Sequence, residues 1–108
     1  MSVMYEVNVQ IDSDILDDYL TFLREKHIPD LLSIEGFLTG AILFPDRDEL
    51  IPPHRTPVTC MYKLQSRELL QRYFDNEAPA MRTETLNRFP GKMSALRRIL
   101  VLHAQLEK

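Results

Sequence analysis

The sequence predicts one α+β domain over residues 1–108, with strands and helices in the order β-α-β-β-α-β. Three observations support this prediction. A length of 108 residues is typical of a single domain. Apolar residues alternate with a period of two in some segments and recur at helical spacing in others. Each half of the chain also runs through the same order of strand, helix, proline, helical turn, glycine and strand.

The first strand and the first helix follow from simple patterns. Residues from Met4 to Ile11 alternate between apolar and polar side chains, which predicts a half-buried strand. The segment Asp12-Ser13-Asp14 provides a cap and an acidic first turn for a helix whose apolar residues recur at helical spacing up to His27. Pro29 lies within this pattern, and because proline lacks an amide hydrogen we expect the helix to kink or restart around Ile28.

The middle of the chain combines an apolar run with a polar one. Gly36 ends the first helical region, and the run from Phe37 to Phe44 predicts a strand that is covered on both faces, since polar residues do not alternate within it. The segment from Pro45 to Pro57 is polar and contains Pro52-Pro53, and it is longer than most hairpin connections. We therefore expect residues 46–56 to form a mobile arm or a binding loop.

The second half repeats the first. Val58 to Leu64 predicts a third strand, and Ser66 is placed to cap a second helix. Pro79 interrupts that helix, which continues to a stop at Pro90-Gly91. Lys92 to Leu102 predicts the last strand.

Two β-α-β units with right-handed crossovers assemble most simply into a ferredoxin-like fold: a four-stranded antiparallel sheet with two proline-broken helices on one face. The opposite face of the sheet is then bare. Because the strands that start at Phe37 and Met93 are apolar on both sides, this face is expected to expose a contiguous hydrophobic patch. A second copy of the chain would cover it, so we expect a homodimer.

Composition excludes several classes of protein. The chain has 13 Lys and Arg against 16 Asp and Glu, a net charge of −3, whereas proteins that bind nucleic acid through the phosphates are usually basic. A nucleic-acid partner is therefore not expected. Cys60 is the single cysteine, which rules out an internal disulfide and favours the cytoplasm. The N-terminal residues do not resemble a signal peptide, and the longest apolar run is too short to cross a membrane.

A family resemblance rests on residues in both helices and in the last strand: His27-Ile28-Pro29-Asp30-Leu31-Leu32, Tyr73 to Arg82, Phe89, Gly91-Lys92 and Arg97. These residues resemble a small bacterial family catalogued as domain of unknown function 4286. The resemblance implies a dimeric α/β barrel, in which two ferredoxin-like sheets face each other, and it implies no reaction. The segment from Leu50 to Arg55 departs from the family pattern, so no role is carried over to it.

Four residues are candidate ligand contacts: His27, Arg97, Glu6 and Asn8. His27 precedes Pro29 on the apolar side of the first helix, where an imidazole serves either as a general base or as a cap for the carbonyl that the proline frees. The capping role is favoured. No catalytic residue is assigned.

Arg97 interrupts an apolar strand, so its charge needs a partner. Glu6 is the expected partner because the first and last strands are neighbours in this fold, and Glu6 and Asn8 point to the face opposite the helices. The pair is either a structural ion pair at the dimer seam, or Arg97 holds an anionic ligand inside the barrel.

Sequence patterns typical of cofactor and metal sites are missing. The histidines and carboxylates lack the spacing of metal ligands, and the glycines are isolated, unlike those of a phosphate-binding loop. Cys60 lies in a strand and is expected to be a buried apolar residue. No cofactor or metal is therefore predicted.

Two functions remain open. The first is a cytoplasmic homodimeric binding or structural module without chemistry of its own. The second is a cofactor-independent enzyme, an oxygenase or isomerase acting on a small aromatic or enolic substrate between sheet and helices. The sequence does not decide whether the chain is an enzyme. A filled interior would favour the first function, and a ligand-sized cavity bounded by His27 and Arg97 would favour the second.

Overall fold

The computed structural model describes residues 2–46 and 53–108 of the chain. Four strands form one sheet in the order β2-β3-β1-β4, and all three pairs of neighbours are antiparallel. The strands are β1 (Val3–Asp12), β2 (Phe37–Leu43), β3 (Arg55–Leu64) and β4 (Met93–Val101). This is the sheet of the ferredoxin-like fold, as predicted, with the helices packed on one of its faces.

The first helical region is a series of short segments that follow one another without a loop. A single 3₁₀ turn (Ser13–Ile15) leads into α1 (Leu16–Phe22), then a π-helical turn (Leu23–His27), then α2 (Ile28–Leu32). Pro29 lies in the first turn of α2, where its missing amide hydrogen is least costly. The helix thus restarts at Ile28, as the sequence indicates, but the π-helical turn in front of it was not foreseen.

The second helical region consists of α3 (Arg67–Asn76) and α4 (Ala78–Arg88). Ser66 caps α3 as predicted, since its Oγ accepts a hydrogen bond from the amide of Leu69 at 3.2 Å. Pro79 lies in the first turn of α4, just after the break at Glu77. Pro79 therefore begins a separate helix, whereas the backbone ahead of Pro29 stays helical and only the type of helix changes at Ile28.

The core lies between the sheet and the helices. Its most deeply buried side chains include Ile11, Tyr62, Leu64 and Leu70, each at most 1% exposed. Several of its aromatic rings contact one another, among them Tyr62 and Phe37, whose centroids are 5.8 Å apart. The tight packing of these large side chains fixes the distance between the two layers.

The opposite face of the sheet is uncovered and mixed in character. In β2 and β4 several apolar side chains are exposed, including Leu43 at 45% and Leu96 at 78%, so the prediction that both faces of β2 are covered is wrong for the single chain. Between these leucines lie Glu6 and Asn8 of β1. The uncovered face therefore does not carry one contiguous hydrophobic patch. It carries two apolar areas, one on β2 and one on β4, separated by the polar residues of β1.

The connection between β2 and β3 is only partly described. Residues 47–52, the centre of the segment predicted to be a mobile arm or binding loop, lie outside the described residues. β3 begins at Arg55, ahead of the predicted start at Val58, so the connection is shorter than the sequence indicates. Within the described ranges, none of the helices has the length and apolar character needed to cross a membrane.

Candidate functional site

A cavity of about 210 Å³ lies between the sheet and the helices. It is larger than an engineered apolar cavity of about 150 Å³ that binds benzene, and smaller than the roughly 300–1,000 Å³ of pockets for drug-sized ligands. A single ring with one or two substituents is the size that fits. The polar side chains on its wall include His27, Tyr5, Tyr73, Arg82, Ser94 and Arg97.

His27 is brought to the cavity by the π-helical turn that it ends. Isolated π-helical turns inside helices often occur at functional sites, because they shift the register of the side chains that follow. The imidazole packs on the ring of Phe22, with centroids 5.3 Å apart. Its Nδ1 is buried and has no hydrogen-bond partner among residues 2–46 and 53–108. The predicted cap on a carbonyl freed by Pro29 is not formed at this atom.

The electrostatics of His27 favour a neutral imidazole. Burial lowers the pKa of His27 below its usual value, and the nearby carboxylates of Glu84 and Asp30 only partly oppose this effect. A neutral imidazole has one nitrogen with a free lone pair, which is able to accept a proton. His27 thus has the protonation state that a general base requires near neutral pH.

Arg97 also lines the cavity, but from the opposite wall. It lies in β4 opposite Val7, on the face of the sheet that bears the helices. Its side chain is exposed, which places the guanidinium at the cavity mouth. Among the described residues it has no carboxylate within ion-pair distance, so the predicted pairing with Glu6 is wrong.

Glu6 and Asn8 lie on the other face of the sheet and do not reach the cavity. Glu6 is paired with Arg98, one residue after the predicted partner, and is only 8% exposed. The hydrogen bond from Arg98 is the main reason that the pKa of Glu6 is below its usual value, against the effect of burial. Asn8 accepts a hydrogen bond from Thr59 Oγ1 at 2.8 Å. The sheet therefore separates the four predicted residues into two pairs.

Arg82 completes the polar wall and was not among the predicted site residues. Its Nη2 donates to the hydroxyl of Tyr5 at 3.4 Å, and its guanidinium stands 5.9 Å from the centre of the Phe74 ring. The sequence contains a pattern that could have identified it. Arg82, Thr85 and Leu86 are spaced by three and four residues, which places them on one face of a helix, and all three line the cavity. Two arginines, Arg82 of α4 and Arg97 of β4, thus line the same cavity.

Two further ionisable groups of the cavity, Tyr73 and Cys60, are neutral at pH 7. Burial raises the pKa of the Tyr73 hydroxyl to about 12 and that of the Cys60 thiol to about 11. Cys60 is 2% exposed and behaves as the buried apolar residue that the sequence predicted. In the described part of the chain there is no cluster of three or more His, Cys, Asp or Glu side chains suited to a metal ion.

The arrangement combines three chemical properties. Apolar and aromatic side chains form most of the wall, and two exposed arginines and one neutral histidine also line it. Arginine binds carboxylates and enolates through charge-assisted hydrogen bonds, which are roughly twice as strong as neutral ones. The site is therefore suited to a small, flat, anionic molecule with an acidic proton.

Comparisons with solved structures support the fold. SnoaB, a cofactor-independent oxygenase from Streptomyces nogalater, superposes with a TM-score of 0.71 at 7% identity, covering 100% of both chains. A dimeric ferredoxin-like protein from an uncultured marine organism gives 0.66 at 15% identity, covering 98% of this chain and 99% of the other. MhuD, a heme-degrader from Mycobacterium tuberculosis with two hemes in its active site, gives 0.69 at 13% identity, with 97% and 99% covered. Identities this low show a shared fold alone.

Sequence comparisons give the family. Among curated proteins, none matches the chain. One family model matches residues 2–103, nearly the whole chain, and the resemblance read from the helices and the last strand is thereby confirmed. The chain belongs to the family described as domain of unknown function (DUF4286).

Proposed function

We propose that the chain binds a small aromatic or enolic acid in the cavity and transforms it without a cofactor, as an oxygenase or isomerase. The observation that carries this proposal is the cavity of about 210 Å³ with His27, Arg82 and Arg97 on its wall. A module without chemistry was the favoured interpretation of the sequence, and a filled interior would have supported it. The open interior supports the enzyme instead.

The proposed chemistry starts with a proton transfer. His27 accepts the acidic proton of the substrate, so that an O–H or C–H bond breaks and an N–H bond forms. The two arginines stabilise the negative charge of the resulting enolate or phenolate. Return of the proton at another atom is isomerisation. Alternatively, the electron-rich carbon reacts with dioxygen, one oxygen atom entering as a carbonyl and the other leaving as water with two hydrogens of the substrate.

The fold neighbours bear on the choice of chemistry. SnoaB is a cofactor-independent oxygenase, and other neighbours are described as putative antibiotic biosynthesis monooxygenases. The architecture is therefore compatible with oxygenation. This support comes from the fold, while the assignment of roles rests on the side chains of this chain.

Ligand binding is testable with a panel of single-ring acids, such as hydroxybenzoates, and their neutral amides. We expect the acids to raise the thermal denaturation temperature of the parent chain more than the amides do. Arg97→Gln and Arg82→Gln should each weaken binding by about 10- to 100-fold, because each removes a charged hydrogen-bond donor worth about 1.5–3 kcal/mol. Titration calorimetry measures the dissociation constants.

Arg72→Gln is the matched control. Arg72 is an exposed arginine of α3 that pairs with Glu35 at 3.3 Å, and it does not line the cavity. This variant should bind the acids like the parent chain. If no acid binds, or if all three variants bind equally well, the cavity is not an anion site. Oxygen consumption without added cofactor then separates an oxygenase from an isomerase among the acids that bind.

We also propose that the chain is a homodimer whose two sheets meet through their uncovered faces. The exposed leucines of β2 and β4 support this, since burial of such side chains drives association. The fold is compatible with it, because one structural neighbour is a dimeric ferredoxin-like protein. Light scattering coupled to size exclusion should give twice the mass of one chain. A monodisperse monomer at micromolar concentration would contradict the proposal.

A further inference from the structure

Two buried polar atoms near the cavity lack hydrogen-bond partners within residues 2–46 and 53–108. Among the described residues, neither Nδ1 of His27 nor Oε1 of Glu84 forms a hydrogen bond, although both are shielded from solvent. Buried polar atoms are almost always paired, so each exception needs a physical explanation. Oδ1 of Asp12 is a third such atom, but it has the Nε of Arg55 at 3.3 Å as a counter-charge. His27 and Glu84 are the pair that remains to be explained.

The neighbouring contacts bring these two side chains together. Lys26, which precedes His27, has its Nζ 3.7 Å from Oε2 of Glu84 and 2.8 Å from Oδ2 of Asp30. One oxygen of the Glu84 carboxylate is thus held by Lys26, while the other is buried and has no hydrogen-bond partner in the described part of the chain. Glu84 also directly precedes Thr85, which lines the cavity together with His27. The end of the π-helical turn and the middle of α4 therefore meet at this point.

We propose that Glu84 is a positioning residue for His27. Its Oε1 accepts a hydrogen bond from one buried water, which in turn accepts a hydrogen bond from the Nδ1–H of the imidazole, and this leaves the lone pair on Nε2 for the substrate. This inference rests on the proposed function, because only a proton transfer in the cavity gives the tautomer a purpose. The pairing itself exists with or without a substrate.

The pairing explains both unpartnered atoms and supplies what a histidine base needs. A base is most effective when a third group fixes its orientation and tautomer, and a carboxylate behind an imidazole does both. When Nε2 takes the proton, the positive charge of the imidazolium forms beside the carboxylate of Glu84. The charged groups around His27 are mixed, because Glu84 and Asp30 favour its protonated form while Arg97 and Lys26 oppose it. Of these two carboxylates, Glu84 raises the pKa of His27 more than Asp30 does.

Nuclear magnetic resonance of the full chain tests the proposal without any ligand. Two-bond correlations between the ring hydrogens and nitrogens distinguish a protonated from an unprotonated ring nitrogen, and His27→Gln identifies the signals of His27. In the parent chain we expect Nδ1 to carry the proton at neutral pH. In Glu84→Ala we expect that preference to be lost, with the proton moving to Nε2, and His27 to titrate at lower pH than in the parent.

Two further variants separate a hydrogen bond from a change of charge. Glu84→Gln removes the charge but keeps an oxygen that accepts a hydrogen bond, so it should restore the Nδ1–H tautomer. Asp30→Asn removes the other nearby negative charge and should lower the pH at which His27 titrates while the tautomer stays unchanged.

A parent chain with the proton on Nε2, or a Glu84→Ala variant with an unchanged tautomer, would overturn the proposal. Glu84→Gln keeps the proposal testable should Glu84→Ala fail to fold, because a Gln variant that loses the tautomer also contradicts it. None of these results depends on ligand binding. Failure of the acids to bind therefore leaves the His27–Glu84 pairing standing, and failure of the pairing leaves the arginine site standing.

Discussion

A Leu96→Asp variant is expected to be a monomer under conditions in which the parent chain is a dimer. Leu96 is 78% exposed and lies in β4 opposite Asn8, on the uncovered face of the sheet. A dimer through this face would bury the new carboxylate beside apolar side chains. An unpaired carboxylate costs several kcal/mol on burial, which is a large fraction of the binding free energy of a typical dimer. Light scattering across a range of concentrations measures the shift.

Leu32→Asp is the control for this variant. Leu32 is also an exposed leucine, at 41%, but it lies at the end of α2 in the helical layer. It should leave the dimer intact. If Leu96→Asp remains folded and dimeric, the two copies associate through another surface.

In the proposed dimer, the register of β2 determines which of its residues faces the second copy. Leu43 pairs with Thr59 and lines the groove of the uncovered face, whereas Ile42 pairs with Cys60 and packs against the core. A charge at Leu43 therefore should dissociate the dimer, as at Leu96. A charge at Ile42 should instead lower the stability of the chain, since Ile42 is partly buried and packs against the core.

A Gly36→Ala variant is expected to lose about 2–5 kcal/mol in the free energy of unfolding. Gly36 has a φ of 98°, which is unfavourable for a residue with a Cβ by about 1–2 kcal/mol. A Cβ at this position would also lie 2.6 Å from the Cβ of Leu69 in α3. Such overpacking costs typically about 1–3 kcal/mol, because the contact is with an atom that cannot rotate away. Urea denaturation measures the sum.

Gly91→Ala separates the two causes. Gly91 also has a positive φ, 70°, but a Cβ there would meet no atom within 4 Å. Only the backbone contribution of about 1–2 kcal/mol is expected in this variant. Equal losses at the two glycines would mean that the approach of α3 to Gly36 adds nothing.

Local patterns predicted those parts of the fold that depend on neighbouring residues. The alternation of β1 correctly placed Glu6 and Asn8 on the face away from the helices, because side chains in a strand alternate strictly. Ser66 was identified as a cap because a hydroxyl there reaches an amide within the same turn. Such features are determined within a few residues.

Features that depend on the register between elements could not be predicted from local sequence patterns. Whether Arg97 or Arg98 faces Glu6 is decided by a shift of one residue between β1 and β4, and such a shift reverses every side chain of a strand. The π-helical turn likewise has no signature in composition, because it arises from one extra residue within a helical turn. Of the four predicted residues, His27 and Arg97 therefore lie at the cavity, while Glu6 and Asn8 lie on the other face of the sheet, and their role in ligand binding stays a prediction.

The π-helical turn also ties the position of His27 to the number of residues in its helix. Each residue of an α-helix turns the following side chains by about 100° around the axis. The π-helical turn accommodates one residue more than a regular turn, so in a regular α-helix of the same length His27 would be rotated around the axis together with the buried Ile28 and Leu31. The same turn therefore sets both the side chain at the cavity and the side chains in the core. A related sequence that keeps a histidine here must keep either this turn or a helix that is shorter by one residue.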